Sequence, residues 1–277
     1  MREVDPGPIT SADVEGARLA VRVTGEGDRP TLVWGHGLTS SMDDEDAAGI
    51  FDWSSITGTG RLVRYDARSH GTSSSGATVD ELRWDRLGGD MLAVADAVGA
   101  ESFVAGGASM GCATALFAAR AAPERVTALV LVIPPTAWDT RAGQAQLYEA
   151  NVELIERAGI EAAADVMSSQ PLPPLFQPFE ARVRKRRRES LAAADPGRIC
   201  TALRGAARSQ LPSPEEVAGI GVPALVLAWE GDTGHPESTA RELDRLLPRS
   251  TLHVATSLED ALGWRDLVHD FFVGLTG

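Results

Sequence analysis

The chain is expected to fold as an α/β protein. The expected architecture is a mostly parallel β-sheet flanked by helices, with a helical segment inserted before the penultimate strand. Three observations carry that expectation. Short apolar runs alternate with helical stretches, the rhythm of a parallel sheet with right-handed crossovers. The pentapeptide Gly107-Ala108-Ser109-Met110-Gly111 joins an apolar run to an alanine-rich stretch, the setting of an exposed serine on a tight strand-to-helix turn. Between Pro134 and Pro223 the strand rhythm gives way to helical patterning broken by prolines.

Taken in order, residues 18–23 alternate weakly and predict an early antiparallel strand. Residues 31–34 are an apolar run ending in Gly35-His36-Gly37, a strand followed by a tight loop. Another strand is expected at 61–65. Leu82, Leu87, Met91, Val94 and Val98 recur at helical spacing and predict one helix over 79–98. The run 102–106 reads as a short buried strand, and 112–122 as the helix after it. Residues 126–133 are almost wholly apolar, as in a strand covered on both faces. Residues 224–229 repeat that pattern, and 251–255 are the last expected strand. The predicted core therefore comprises 1–134 and 223–277. Residues 135–222 form a predicted helical cap, interrupted at Pro171-Leu172-Pro173-Pro174, Asp195-Pro196-Gly197 and Leu211-Pro212-Ser213-Pro214.

The chain has 277 residues, 43% of them hydrophobic, enough for one large domain with an insertion. Its formal charge of −13 argues against nucleic acid as a partner, because phosphate attraction needs a basic footprint. No apolar run is long enough to span a bilayer, so no membrane partner is expected. The stretch Met1-Arg2-Glu3-Val4-Asp5-Pro6 lacks the apolar core of a signal peptide, which points to the cytoplasm. Two cysteines, Cys112 and Cys200, make no disulfide framework. No metal constellation and no dinucleotide fingerprint is visible, so no cofactor is expected. The expected partner is a small-molecule substrate, with a homodimer left open.

Several motifs together make the chain resemble the α/β-hydrolase family, in the capped branch that includes esterases, lactonases and C–C hydrolases. They are His36-Gly37 after the third strand, Tyr65-Asp66-Ala67-Arg68-Ser69-His70-Gly71 after the fourth, the turn at Ser109, and Gly231-Asp232 after the penultimate strand. Ser69 stands where the family usually has glycine. The resemblance implies that Ser109 attacks a carbonyl carbon. It implies an oxyanion hole made by the backbone N–H groups of Leu38 and Met110. Asp232 matches the position of the triad acid, with Glu230 a weaker candidate. His36 and His70 would order their loops, although His36 is also a candidate pocket residue.

The template breaks at the base. The family order is serine, acid, histidine, with the histidine in the loop after the final strand. Here that region reads Leu252-His253-Val254-Ala255-Thr256-Ser257-Leu258-Glu259-Asp260-Ala261. Asp260 falls near the expected place, but a carboxylate with an ordinary pKa is a poor base for a serine hydroxyl. His235, in the acid loop, is the candidate replacement, or else a surface residue before Pro236. His253 and His269 read as structural.

The acidic run Asp43-Asp44-Glu45-Asp46 reads as a solvated helix start, or as a gate to the pocket that repels anionic ligands. The basic run 182–188 reads as a solvated cap face, or as a guide for an acidic substrate. Trp138, Tyr148, Leu175, Phe176 and Phe179 are candidates either for lining an apolar pocket, Trp138 among them, or for packing the cap onto the sheet. The expected function is a serine hydrolase acting on a small carboxylic ester, thioester or lactone. The alternatives are a lyase, decarboxylase or cyclase with an incomplete triad, and a ligand-binding protein without catalysis.

Overall fold

Eight strands form one sheet in a computed structural model that describes residues 8–25, 30–51, 53–74 and 77–275. Met1 to Pro6, which bear on the expectation of no leader, lie outside the described residues. The strands are Ile9–Val14 (β1), Ala17–Thr24 (β2), Thr31–Gly35 (β3), Arg61–Tyr65 (β4), Phe103–Ala108 (β5), Val126–Val132 (β6), Ala224–Trp229 (β7) and Ser250–Ala255 (β8). Their spatial order is β1-β2-β4-β3-β5-β6-β7-β8. The β1–β2 and β2–β4 pairs are antiparallel, and all other pairs are parallel. This is the expected mostly parallel sheet flanked by helices. The strand β1 adds an edge that the sequence pattern did not signal, because most of its residues are exposed.

Successive side chains of a strand point to opposite faces, and here each face builds its own core. Val33, Ala105, Leu129, Leu131 and Val226 pack with the helices Trp84–Ala97, Met110–Ala121 and Glu237–Leu246. Leu32, Trp34, Val104, Val130, Leu225 and Leu227 pack with Ile56 and with Trp264, Val268 and Phe272 of the terminal helix. Five α-helices lie between β6 and β7: Arg141–Ala158, Ile160–Ser168, Glu180–Ala193, Pro196–Ala207 and Pro214–Ala218. Val152, Ile155, Ala163, Ile199, Cys200 and Leu203 give this insertion a small apolar core of its own. Among the described residues, no helix is long and apolar enough to cross a membrane.

Two local expectations need correction. The single helix expected over 79–98 is broken. A 3-10 turn, Asp80–Leu82, precedes the helix Trp84–Ala97, because Arg83 is extended (φ −70°, ψ 144°). The Trp84 N–H donates to Ser209 Oγ at 3.0 Å instead of to a preceding helical turn. The acidic run at 43–46 is not simply solvated. Asp46 takes hydrogen bonds from Arg22 and Arg64 at 2.7 and 2.5 Å, and Glu45 accepts the Trp34 indole N–H at 3.1 Å. Arg64 also donates to the Met42 carbonyl oxygen at 2.7 Å. Both arginines are buried, so these pairs tie the helix Met42–Ala48 to the sheet at β2 and β4. That helix forms one wall of the cavity described below.

Ser69 keeps the backbone of the glycine it replaces in the resemblance. Its φ is 61°, the left-handed region that costs an L-residue about 1–2 kcal/mol. The loop nevertheless holds it, since the Ser69 N–H donates to the Ser74 carbonyl oxygen at 3.0 Å and Arg198 donates to the Ser69 carbonyl oxygen at 3.1 Å. Ser69→Gly is therefore expected to stabilise the fold by about 0.5–1 kcal/mol, after the greater unfolded-state entropy of glycine is subtracted. The midpoint of urea unfolding checks this.

Candidate active site

Ser109 sits between β5 and the helix Met110–Ala121 with φ 53° and ψ −109°. A serine adopts that backbone only under constraint. The constraint is close packing of the strand ends. A Cβ on Gly107 would lie 2.6 Å from both the Gly35 carbonyl oxygen and Gly111 Cα, and a Cβ on Gly111 would overlap the Gly35 carbonyl group. Only glycine at both positions lets the turn touch the end of β3. The Ser109 N–H donates to the Val132 carbonyl oxygen at 3.0 Å, which pins the turn to β6 as well. Cys112, below it, is buried, and burial pushes its thiol up, so it stays a neutral packing residue.

The loop after β3 lies directly against this serine. A Cβ on Gly37 would be 3.6 Å from Ser109 Cβ, and Leu38 and Ser109 face the same cavity. Met110 opens its helix, so its N–H has no partner within the helix and lies at the positive end of the helix dipole. His36 braces the loop from behind and does not face the cavity. Its Nδ1–H donates to the Gly37 carbonyl oxygen at 2.7 Å and its Nε2 accepts the Ala67 N–H at 3.0 Å, an arrangement that assigns the neutral tautomer. His70 lies against it with ring centroids 5.1 Å apart, and burial together with His36 pushes its imidazole down to about 3. The candidate pocket role of His36 is thus replaced by a loop-ordering one.

One short loop after β7 presents both an acid and an imidazole. His235 Nε2 is 2.8 Å from Ser109 Oγ, and His235 Nδ1 is 2.9 Å from Asp232 Oδ2. The chain Asp232–His235–Ser109 is continuous, although serine and histidine are 126 residues apart. The aspartate folds the loop on itself. Its Oδ1 accepts the Gly234 and His235 N–H groups at 2.9 and 3.1 Å, leaving Oδ2 for the ring. Trp229, the last residue of β7, donates its indole N–H to the same Oδ2 at 2.8 Å. Burial alone would push the Asp232 carboxyl up. His235 beside it and the donors of His235, Trp229 and Gly234 outweigh burial and hold it well below the usual carboxylate range.

The other candidates lie elsewhere. Glu230 is exposed and does not line the cavity. Asp260 is exposed and caps the helix Leu258–Leu262: it accepts from Thr256 and Ser257, and Ser257 Oγ accepts the Asp260 N–H at 3.1 Å. His253 and His269 do not line the cavity. Nor does Trp138, whose indole N–H donates to the Pro212 carbonyl oxygen at 3.1 Å while its ring packs on the core. Its candidacy as a pocket residue is corrected accordingly.

The cavity around Ser109 has a volume of about 630 Å³. Its apolar walls include Tyr148, Met167, Phe176, Phe179, Leu258 and Leu262, contributed by the insertion and by the segment after β8. Trp229 is missed by sequence reasoning, although a strand-end aromatic three residues before Asp232 has an N–H in need of a buried acceptor. Arg187, within the basic run 182–188 that the sequence offers as a guide for an acidic substrate, lies on the cavity wall.

Residues 30–262 match the alpha/beta hydrolase fold family. The chain belongs to that family. It is 28% identical over 248 residues to 3-oxoadipate enol-lactonase 2 of Acinetobacter baylyi, a match covering 89% of this chain and 86% of that protein. The enol-lactonase structure from Burkholderia xenovorans superposes with a TM-score of 0.78 at 22% identity, covering 96% of this chain and 99% of that one. A malate-bound thermophilic esterase from Thermogutta terrifontis gives a TM-score of 0.80 at 19% identity, covering 97% and 99%. These structures share the fold of this α/β-hydrolase.

A depressed carboxyl in the folded state stabilises the protein above the unfolded-state pKa, and that contribution is lost as pH falls. The stability gap between the parent and Asp232→Asn is therefore expected to be widest near neutral pH. It should narrow as pH drops through the ordinary carboxylate range near 4. Urea midpoints of both proteins between about pH 7 and pH 3 check the sign.

Proposed function

We propose that this α/β-hydrolase is a serine hydrolase that cleaves a small carboxylic ester, thioester or lactone through an acyl-enzyme on Ser109. The observation that carries the reading is the hydrogen-bonded chain from Asp232 through His235 to Ser109. An aligned serine, imidazole and carboxylate perform acyl transfer on several unrelated folds, so geometry supports the role irrespective of which loop supplies the histidine. The alternatives without a working triad lose their motive, since the base missing after β8 has a substitute within hydrogen-bond reach. The likeness to an enol-lactonase lends weight to lactones among the substrates.

In the proposed cycle, Ser109 Oγ attacks the carbonyl carbon as its proton passes to His235 Nε2. The carbonyl oxygen becomes an oxyanion and is stabilised by the N–H groups of Leu38 and Met110. Asp232 stabilises the imidazolium and fixes the Nδ1–H tautomer. Collapse of the tetrahedral intermediate breaks the bond to the leaving oxygen or sulfur, which takes the proton from His235. A lactone opens and keeps that hydroxyl or enol on the acyl chain. Water then gives a proton to His235 and attacks the acyl carbon. Ser109 leaves with that proton, and a carboxylic acid is released. The helical insertion acts as a cap that limits water around the site and shapes the acyl pocket.

Hydrolysis of 4-nitrophenyl acetate tests the reading. Ser109→Ala and His235→Ala are each expected to lower kcat by at least about 10³-fold, the scale of losing a triad member. Asp260→Ala should keep kcat within a fewfold while lowering the unfolding midpoint slightly, because it removes a helix-capping carboxylate. Equal loss in Asp260→Ala and survival of activity in His235→Ala would overturn the assignment.

A further inference from the structure

The helix Glu180–Ala193 carries six cations in the stretch Arg182-Val183-Arg184-Lys185-Arg186-Arg187-Arg188. Their partners divide them by face. Arg184 donates to Glu180 at 2.7 Å and to the Ser168 carbonyl oxygen at 2.9 Å. Lys185 pairs with Glu189 at 2.8 Å, and Arg188 pairs with Asp165 and Glu161 at 2.6 and 3.1 Å. These cations are neutralised on the outer faces. Residues 182, 183, 186, 187, 190 and 191 make the opposite stripe, and all of them line the cavity beside Ser109. On this stripe Arg186 donates to the Asp44 carbonyl oxygen at 2.6 Å. Arg182 and Arg187 make no hydrogen bond or ion pair with any described residue.

Arg187 is the more telling of the two. Its side chain is exposed and lies on the cavity wall. Asp232 is near enough to favour its charge, and Arg184 opposes it. It remains a cation, as guanidinium groups do in proteins. Asp232 does not hold it, because both carboxylate oxygens are taken by His235, Trp229 and Gly234. The other acid on the wall, Asp44, accepts from Ser41 Oγ at 2.8 Å and from Ser190 Oγ at 3.1 Å. Three guanidiniums thus face two carboxylates that are already engaged, which leaves the cavity positive within a chain of net charge −13. An anion entering the cavity meets guanidinium donors that no described residue uses.

We infer that Arg187, assisted by Arg182, binds a free carboxylate on the substrate. This assignment rests on the serine-hydrolase reading and narrows its substrate class to acid-esters, acid-thioesters and lactones that carry a carboxylate. The planar guanidinium fork matches a planar two-oxygen anion, and an excess of one positive charge matches a monoanion better than a phosphate dianion. The carboxylate docks on the insertion while the reacting carbonyl lies at Ser109. Binding energy from the remote group then positions the carbonyl, and an uncharged analogue leaves Arg187 unpaired.

The test compares kcat/KM for 4-nitrophenyl hydrogen glutarate with that for its neutral methyl ester, in the parent, Arg187→Gln, Arg187→Lys and Arg182→Gln. The parent is expected to favour the acid-ester by about tenfold or more, the scale of one charge-assisted hydrogen bond. Arg187→Gln should abolish most of that preference, Arg187→Lys should restore part of it, and Arg182→Gln should reduce it less. In parallel, calorimetry measures binding of monomethyl glutarate to Ser109→Ala and to Ser109→Ala/Arg187→Gln, with binding expected only to the first. Turnover of both esters without a preference, or a preference untouched by Arg187→Gln, would overturn the carboxylate site and leave the hydrolase reading standing. Turnover of neither ester would count against the hydrolase reading, and the calorimetry would still decide the carboxylate site. Thermal melts of all variants confirm that each is folded.

Discussion

The site depends on the contact of three glycines. Gly107 and Gly111 flank Ser109 and leave no room for a side chain against Gly35. That contact forces the left-handed serine backbone, which aims Oγ into the cavity. It also presses the end of β3 against the turn, so the loop at Gly37 lies beside Ser109. The strain is local, and the buried strands β3, β5 and β6 on either side hold it. The N-terminus of the helix Met110–Ala121, the loop after β3 and Ser109 thus share one packing constraint.

Asp232 and His235 share another. In this chain the histidine lies three residues beyond the aspartate, not in the loop after the final strand. So short a separation works because Asp232 spends one oxygen on the backbone of its own loop and the other on the imidazole. The Trp229 indole locks that second oxygen from below. The segment after β8 forms the helix Leu258–Leu262, and its two leucines line the cavity.

Much of the fold was legible because buried strands announce themselves as apolar runs, as at 126–133 and 224–229. The exposed edge strand β1 carries no such run and was missed. Arg83 broke a helix whose spacing looked continuous, because the structure satisfies the Trp84 N–H from Ser209, 125 residues away. The same limit applies to the site. Ser109 was legible from its glycines, since the constraint is local. The bond from His235 to Ser109 depends on how one carboxylate folds its loop, which no residue pattern states. Trp138 and Tyr148 were equivalent in composition, and only helix packing puts Tyr148 on the cavity and Trp138 against Pro212. The basic run looked uniform, and helix register alone separates its paired cations from Arg182 and Arg187.

The central claim is that His235 activates Ser109. Intact-mass kinetics of phosphonylation by a fluorophosphonate test it most directly, because the reaction reports the activated serine without reference to any substrate. The parent should gain one phosphonyl group on Ser109, and His235→Ala should react at least about 10³-fold more slowly, the scale of losing a triad base. Labelling of Ser109 at the same rate in His235→Ala would contradict the account, as would a folded parent that takes up no phosphonyl group.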